Sequence, residues 1–230
     1  MKIPRTTLIY VLIVLLLSLS LVTVKSSTWI YTKTLSDNTN DNSGYPGYTD
    51  LIRVDYGYNE THFNVNITVN EAISLGEGIT IYIGVLIDTD INGDTGYKYP
   101  PPNGGYIGAD KLIEVSITNP NTISYVSVYN YTGDGSTWSW TLANIPADSV
   151  YCELNENSLK VIASRGVIGY EIGEIRILPI ITYCQQGICT TVDYLDVGVE
   201  TILPIPEPAI MVALATTSIA ILMSIKVKNK

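Results

Sequence analysis

The chain has 230 residues, 46% of them hydrophobic, and a formal net charge of −9 from 13 basic and 22 acidic residues. Six of the basic residues lie at the two ends of the chain, in residues 1–25 and 209–230, so the part between them carries 7 basic against 22 acidic residues, a net charge of −15. Because such a surface repels nucleic acid and anionic lipid, we expect no nucleic-acid partner. The roughly 180 residues between the ends suffice for one domain with a sizeable core.

The first segment is typical of an export signal. Lys2 and Arg5 precede an uncharged, mostly apolar run over residues 8–24, and small residues follow it. A basic region, an apolar region and a small-residue exit, in that order, indicate a secretory signal peptide. We therefore predict a signal peptide over residues 1–27, cleaved near Ser26; an uncleaved membrane anchor is the alternative.

Residues 28–203 predict a single β-sandwich ectodomain. Residues 63, 65, 67 and 69 are apolar and alternate with polar ones, which is the period of a half-buried strand. Other runs rich in Val, Ile, Thr and Tyr are separated by Gly, Asn and Pro, and none has a helical period. The predicted strands cover residues 29–34, 51–58, 63–70, 80–87, 111–117, 123–131, 137–143, 159–164, 174–183 and 191–199. This pattern favours an all-β, antiparallel sandwich, immunoglobulin-like or jelly-roll, between two hydrophobic terminal helices; a closed barrel is the weaker option.

Two longer loops interrupt the predicted strands. Residues 36–49 are polar and offer little regular structure, whereas residues 88–110 concentrate oxygen-bearing side chains. Calcium takes six to eight hard oxygen ligands, and a tight turn can gather alternate side chains around it. We expect structural calcium here, although Tyr99 stands where a calcium loop has its bidentate Glu. The predicted ligands are Asp88, Asp90, Asn92, Asp94 and, after a proline bend, Asp110. The alternative is a turn whose Asp and Asn side chains cap their own backbone.

The same region resembles a known motif. Tyr82-Ile83-Gly84-Val85-Leu86-Ile87-Asp88-Thr89-Asp90, Thr95-Gly96-Tyr97 and Gly108-Ala109-Asp110-Lys111-Leu112-Ile113-Glu114 follow one another over residues 80–117. They resemble a motif of secreted β-sandwich domains similar to family 9 carbohydrate-binding modules and DOMON-like sandwiches. The resemblance implies an immunoglobulin-like or jelly-roll sandwich with structural calcium at Asp88, Asp90 and Asp110. It does not imply sugar binding, because many such domains have no known ligand.

Aromatic residues offer a second candidate surface. Trp138 and Trp140 are two residues apart, so both side chains lie on one face of the predicted strand. Two such rings can stack on a sugar, and the alternative is ordinary core or edge packing.

The cysteines and sequons fit an exported chain. Cys184 and Cys189 frame four residues, a spacing that closes a hairpin with a disulfide in an oxidising exterior, and Cys152 is left over. Three sequons for N-glycosylation begin at Asn59, Asn66 and Asn130.

Catalysis has little support in the sequence. The single histidine, His62, has no nucleophile motif near it, and nothing distinguishes one carboxylate pair from another among 22 acidic residues. We therefore do not expect an enzyme.

The last 27 residues have the layout of a sorting signal. Pro206-Glu207-Pro208 precedes an uncharged span over residues 209–225, and lysines follow it. At ~1.5 Å per residue this span is about 26 Å long, which is short against a ~30 Å hydrocarbon core. The layout of residues 204–230 resembles the PEP-CTERM signal and its archaeal counterparts. That resemblance implies a membrane protease of the exosortase or archaeosortase type that cuts near the motif and transfers the protein to a surface acceptor. An ordinary transmembrane anchor is the alternative.

Both terminal predictions place the middle of the chain outside the cell, since positive residues flank the two apolar segments on their outer sides. We expect a non-enzymatic, structural or adhesive protein of the cell surface or envelope, a glycoprotein with membrane, sorting protease and other surface proteins or glycans as partners. A carbohydrate-binding module and a subunit of an extracellular filament are the alternatives.

Overall fold

The computed structural model describes residues 31–42, 44–59, 61–99, 106–119, 121–146, 148–169, 175–195 and 200–202. These residues form β-strands and one short 3₁₀ helix, and they contain two antiparallel sheets that share a hydrophobic core. The all-β antiparallel sandwich predicted from the strand pattern is therefore confirmed.

In chain order, the strands are β1 (Tyr31–Ser36), β2 (Leu51–Tyr58), β3 (His62–Val69), β4 (Ile79–Asp88), β5 (Lys111–Thr118), β6 (Thr122–Tyr131), β7 (Trp140–Leu142), β8 (Val150–Asn155), β9 (Ser158–Ser164), β10 (Ile175–Gln185), β11 (Ile188–Tyr194) and β12 (Glu200–Ile202). The first sheet has the order β1-β2-β3-β9-β8. The second has the order β11-β10-β4-β5-β6-β7, and β12 also pairs with β10.

Alternation along β3 shows why these residues form the first sheet. Phe63, Val65 and Ile67 are buried, whereas the residues between them are half-buried on the outer face. Successive side chains of a strand point to opposite faces, so one face joins the core and the other meets solvent. The polar outer face carries Asp55, whose carboxylate accepts hydrogen bonds from Arg53 Nη2 at 2.8 Å and Thr34 Oγ1 at 2.5 Å.

The second sheet is buried on both faces at one end. Leu86, Leu112 and Leu178 lie in register on its outer face and are almost inaccessible to solvent. The loop between β4 and β5 lies over this face, because Tyr97 contacts Tyr131 and Tyr99 contacts Tyr194, and the same loop buries Ile107 and Ala109 in the core. This loop therefore forms a partial third layer, and it carries the predicted metal ligands.

The loop between β1 and β2 is more ordered than its polar sequence suggested. A 3₁₀ helix spans Gly47–Thr49, and the buried Asn42 amide donates hydrogen bonds to the Tyr45 and Pro46 carbonyls at 3.0 Å. Side-chain hydrogen bonds to the backbone replace regular structure here.

Several strands differ from the predictions. β7 spans only Trp140–Leu142 of the predicted strand over 137–143, so Trp138 precedes it, and β12 was not predicted. β8 was not predicted: Val150, Cys152 and Leu154 pack against the core in alternation with exposed residues, but the exposed aromatic Tyr151 between them obscures this period in the sequence. β11 begins at Ile188 and ends at Tyr194, earlier than the predicted strand over 191–199. The reason is the tight turn before it, where Gln186 and Gly187 both have positive φ, 52° and 81°. Two such residues make a type I′ hairpin turn, which places the start of β11.

The structure contains the disulfide between Cys184 and Cys189, which face each other across the β10–β11 hairpin. Cys152 is a free, half-buried thiol on β8, and burial raises its pKa to about 12. A thiol that stays protonated is a poor nucleophile.

The predicted signal peptide (1–27) and sorting tail (204–230), with their expected hydrophobic helices, lie outside the described residues. Within the described part of the chain, no helix has the length and apolar character needed to cross a membrane.

Gly84 provides a test of the packing on the outer face of the second sheet. A Cβ atom at this position would lie 2.9 Å from Ile180 Cγ1 and 3.1 Å from Leu112 Cδ1. We expect Gly84→Val to lower the free energy of unfolding by about 1–3 kcal/mol in urea denaturation, because side chains already fill the space. The control is Gly166→Ala, since a Cβ at Gly166 meets nothing within 4 Å. Equal stability of the two variants would contradict this account of the packing.

Candidate functional site

Three of the predicted ligands lie together at the end of β4. One carboxylate oxygen from each of Asp88, Asp90 and Asp110 lies within 4.8 Å of the others. Asp88 ends β4, Asp90 follows it in the loop, and Asp110 immediately precedes β5. Since β4 and β5 pair directly, their ends bring residues far apart in the sequence into one group. Carboxylates arranged this way are the ligands that hard divalent cations prefer.

Close backbone contacts between the two halves of the loop hold Asp110 in this group. Tyr97 N–H donates to the Ala109 carbonyl at 2.7 Å, and Ala109 N–H donates back to the Tyr97 carbonyl at 2.9 Å. Gly96 and Gly108 both have positive φ, and a Cβ on either would lie within 2.4 Å of a backbone oxygen. Only glycine fits both the conformation and the space. The Thr-Gly-Tyr and Gly-Ala-Asp parts of the motif are therefore the two sides of one contact.

The loop between Asp88 and Asp94 is built from side chains that accept hydrogen bonds from two residues ahead. The Asp90 N–H donates to Asp88 Oδ1 at 3.2 Å, and the Asn92 N–H donates to Asp90 Oδ1 at 2.9 Å. The Asp94 N–H completes the series by donating to Asn92 Oδ1 at 3.1 Å. The backbone-capping turn that we considered as an alternative is thus present, and it coexists with the carboxylate group.

Asp94 and Asn92 differ from the other three predicted ligands. Asp94 is exposed and does not belong to the group of close carboxylates, and the Asn92 amide oxygen is used in the turn. A candidate cation site therefore consists of Asp88, Asp90 and Asp110.

Asp88 is the electrostatically unusual member of the group. Its side chain is fully buried, and desolvation, with the nearby charges of Asp110 and Asp90, raises its pKa to about 6. A hydrogen bond from the Ile91 backbone N–H to Asp88 lowers the pKa and partly offsets this rise. Within the described part of the chain, Asp88 Oδ2 has no hydrogen-bond donor, and Arg176 Nη1 lies 3.7 Å from it. A buried oxygen without a donor is costly unless some other group satisfies it.

Trp138 and Trp140 pack into an aromatic cluster with Tyr97 and Tyr131. The Trp138 ring centroid is 5.0 Å from that of Tyr97, and Trp140 is 5.0 Å from Tyr131, both in edge-to-face geometry. The two tryptophans are inclined by 67°, so they form no flat platform together. Trp138 is nevertheless 53% exposed, which leaves part of its ring open to solvent.

The three sequon asparagines have different surroundings. Asn59 is buried, and its Oδ1 accepts hydrogen bonds from the Thr61 and His62 N–H groups at 2.9 and 2.7 Å. Asn66 is half-buried on the polar outer face of β3. Asn130 Oδ1 accepts a hydrogen bond from Lys111 Nζ at 2.7 Å. Glycosylation stays a prediction, and Asn66 is its best candidate because its side chain lies on the outer face of a sheet.

A second acidic group was not predicted from the sequence. It consists of Asp41, Asp50 and Asp193, whose carboxylate oxygens also lie within 4.8 Å of one another. Asp193, on β11, accepts a hydrogen bond from the Leu51 N–H on β2 and thereby joins the two sheets. The Asp50 carboxylate accepts from the Asn40 N–H at 2.9 Å and the Asn70 amide at 2.9 Å. No local spacing connects position 193 with positions 41 and 50, so only the fold could bring them together.

Comparison with known protein families, curated proteins and solved structures found no match to this chain.

The second acidic group predicts a stability that depends on pH. Asp193 is buried, and this burial, opposed by the Leu51 and Tyr194 N–H groups and reinforced by the charges of Asp41 and Asp37, raises its pKa from 3.8 to about 7. Between about pH 4 and about pH 7, Asp193 is therefore protonated in the folded state and ionised in the unfolded state. The contribution of Asp193 to stability is complete below the unfolded pKa and is lost as the pH rises through the folded pKa. Because one pKa unit corresponds to about 1.4 kcal/mol, we expect the free energy of unfolding to fall by a few kcal/mol from about pH 4 to about pH 8.

Urea denaturation of the wild type and two variants, at several pH values, measures how the free energy of unfolding depends on pH. Asp193→Asn should flatten the slope between about pH 4 and about pH 7. Asp134→Asn is the matched control, because hydrogen bonds from the backbone and side chains of Ser136 and Thr137 lower the pKa of Asp134 to about 2. That group titrates below this window and leaves the slope unchanged. The same slope in wild type and Asp193→Asn would contradict the assignment.

Proposed function

We propose that this chain is a non-enzymatic protein of the cell surface or envelope that displays a single β-sandwich stabilised by calcium. Its finer topology is proposed to be immunoglobulin-like or jelly-roll, between a signal peptide and a C-terminal sorting segment. The observation that carries the calcium part is the buried Asp88 carboxylate, which has two further carboxylates beside it and an oxygen without a described donor.

Charge supports a divalent ion at this position. Three carboxylates and the Arg176 guanidinium together carry a net charge of −2 when all are ionised, so one divalent cation balances the group. Carboxylates held this close repel each other, and Asp88 meets that repulsion without solvent. The loop carbonyls near Asp90 and Asn92, together with water, are the oxygen sources from which a calcium shell is completed.

Calcium binding should therefore raise the thermal stability of the protein. At a free calcium concentration of about 100 times Kd, we expect Tm to rise by about 5–10 °C relative to the chelated protein. Asp90→Asn should remove most of this rise because the variant loses one of three charged ligands. Differential scanning calorimetry with calcium and with chelator measures the effect, and titration calorimetry measures Kd.

Asp94→Asn is the matched control for this experiment. Asp94 and Asp90 are both exposed aspartates of the same loop, but only Asp90 belongs to the carboxylate group. The control should respond to calcium as the wild type does. An unchanged Tm on chelation, with no heat of calcium binding, would remove the calcium part of the proposal.

The surface part of the proposal is supported by the two ends of the sequence. A basic, apolar and small-residue start and a Pro-Glu-Pro, apolar and basic end enclose a domain, residues 28–203, with 7 basic and 21 acidic residues and a net charge of −14. An acidic domain is well suited to soluble display and poorly suited to contact with anionic lipid.

Mass spectrometry of the mature protein from its native host tests this arrangement. We expect an N-terminus near Ser26 and a C-terminus near Pro208, with the apolar tail removed. Glu207→Ala should leave the tail attached, since it alters the proposed recognition motif, whereas Pro204→Ala should not. A mature chain that keeps its lysine-rich end in the wild type would instead identify an ordinary membrane anchor.

Carbohydrate binding is the second candidate function, and the exposure of Trp138 favours it. A half-exposed indole supported from behind by Tyr97 and Trp140 is suited to stack on a sugar ring. The filament alternative has less support, because β1, the N-terminal strand that would have to be donated, already pairs with β2 along its whole length.

A further inference from the structure

A polar groove of about 380 Å³ opens between the two sheets at one end of the sandwich. Lys111 at the start of β5 and Asn130 on β6 form one wall, and Ser149 before β8 and Ser164 at the end of β9 form the other. This volume lies within the range of small-molecule sites in proteins. The groove is distinct from the carboxylate group, because Asp110 and Lys111 are consecutive residues whose side chains point to opposite faces of the sheet.

Lys111 gives the groove its charge. No acidic residue is present among its described lining residues, although acids outnumber bases by 22 to 13 in the whole chain. Lys111 Nζ donates one hydrogen bond to Asn130 Oδ1 at 2.7 Å. An ammonium has three N–H donors, so Lys111 can donate to a ligand as well as to Asn130.

The rest of the lining is mixed in polarity and suits a hydroxylated ligand. The lining residues Asn144 and Ser149 carry an amide and a hydroxyl group, and the lining residues Ile145 and Val167 are apolar. Amides and hydroxyls both donate and accept hydrogen bonds, as the hydroxyls of a sugar require. The apolar side chains suit the C–H face of a sugar ring.

We propose that this groove binds a hexuronate, a sugar whose carboxylate pairs with Lys111 and whose hydroxyls bind the Asn and Ser side chains. The proposal goes beyond surface display and calcium binding, since neither is needed for it. It also differs from stacking on Trp138, because that residue does not line the groove.

Titration calorimetry on the full-length chain in detergent, with D-glucuronate and D-glucose as probes, tests the proposal. We expect glucuronate to bind with a Kd of about a millimolar and glucose to bind at least about tenfold more weakly, since a charge-assisted hydrogen bond is roughly twice as strong as a neutral one. Lys111→Gln should weaken glucuronate binding to the level of glucose. Lys160→Gln is the control, because this lysine lies on β9 outside the groove and should bind glucuronate as the wild type does.

A second variant tests the position without removing the charge. Gly166 lines the groove, and a Cβ there meets nothing within 4 Å, so Gly166→Phe fills the groove without a clash at its base. This variant should also weaken glucuronate binding at least about tenfold, while Trp138→Ala should leave it unchanged. Binding that survives either groove variant, equal binding of glucose, loss of binding in Trp138→Ala, or no binding by the wild type overturns the proposal.

Discussion

The approach of two backbone segments at Gly96 and Gly108 is the constraint on which the functional end of this sandwich depends. A side chain at either position would meet backbone oxygen, so the contact exists only because both residues are glycine. The contact closes the loop between β4 and β5 over the outer face of the second sheet and buries Ile107. It also sets Asp110 beside Asp88. The same backbone contact therefore covers the core and assembles the carboxylate group.

Most acidic side chains in the described part of the chain are exposed or half-buried, but three aspartates are buried where structural elements meet. Asp193 ties β11 to β2 through the Leu51 N–H, and Asp50 holds the loop before β2 through Asn40 and Asn70. Each of these carboxylates has backbone or amide donors, which compensates for lost hydration. Asp88 is different, because one of its oxygens has no described donor and its neighbours are carboxylates. Two buried acids thus have hydrogen-bond donors among the described residues, whereas one oxygen of the third has none there.

The features that depend on local periodicity could be predicted from the sequence. The alternation in β3, the turn residues around it and the paired cysteines follow from spacing within a few residues, and the two-sheet antiparallel architecture follows from them. Asp110 could be assigned to Asp88 because a strand–loop–strand unit returns the chain to its starting edge. The meeting of Asp193 with Asp41 and Asp50 depends on how the two sheets stack, which no local pattern encodes. The groove at Lys111 was missed for the same reason, since its walls come from different sheets.

The start of β5 connects the two proposed sites of the molecule. Asp110 and Lys111 are adjacent, and the pleat of the strand directs the carboxylate towards Asp88 and the ammonium into the groove between the sheets. Asp110 also receives hydrogen bonds from Thr89 N–H at 2.9 Å and Thr89 Oγ1 at 2.7 Å, and its own N–H donates to the Ile87 carbonyl at 2.9 Å. These bonds fix the backbone from which Lys111 extends. The hydrogen bonds that hold Asp110 therefore also hold the backbone of the residue that gives the groove its charge, so a carboxylate ligand would meet a lysine whose backbone is already in position.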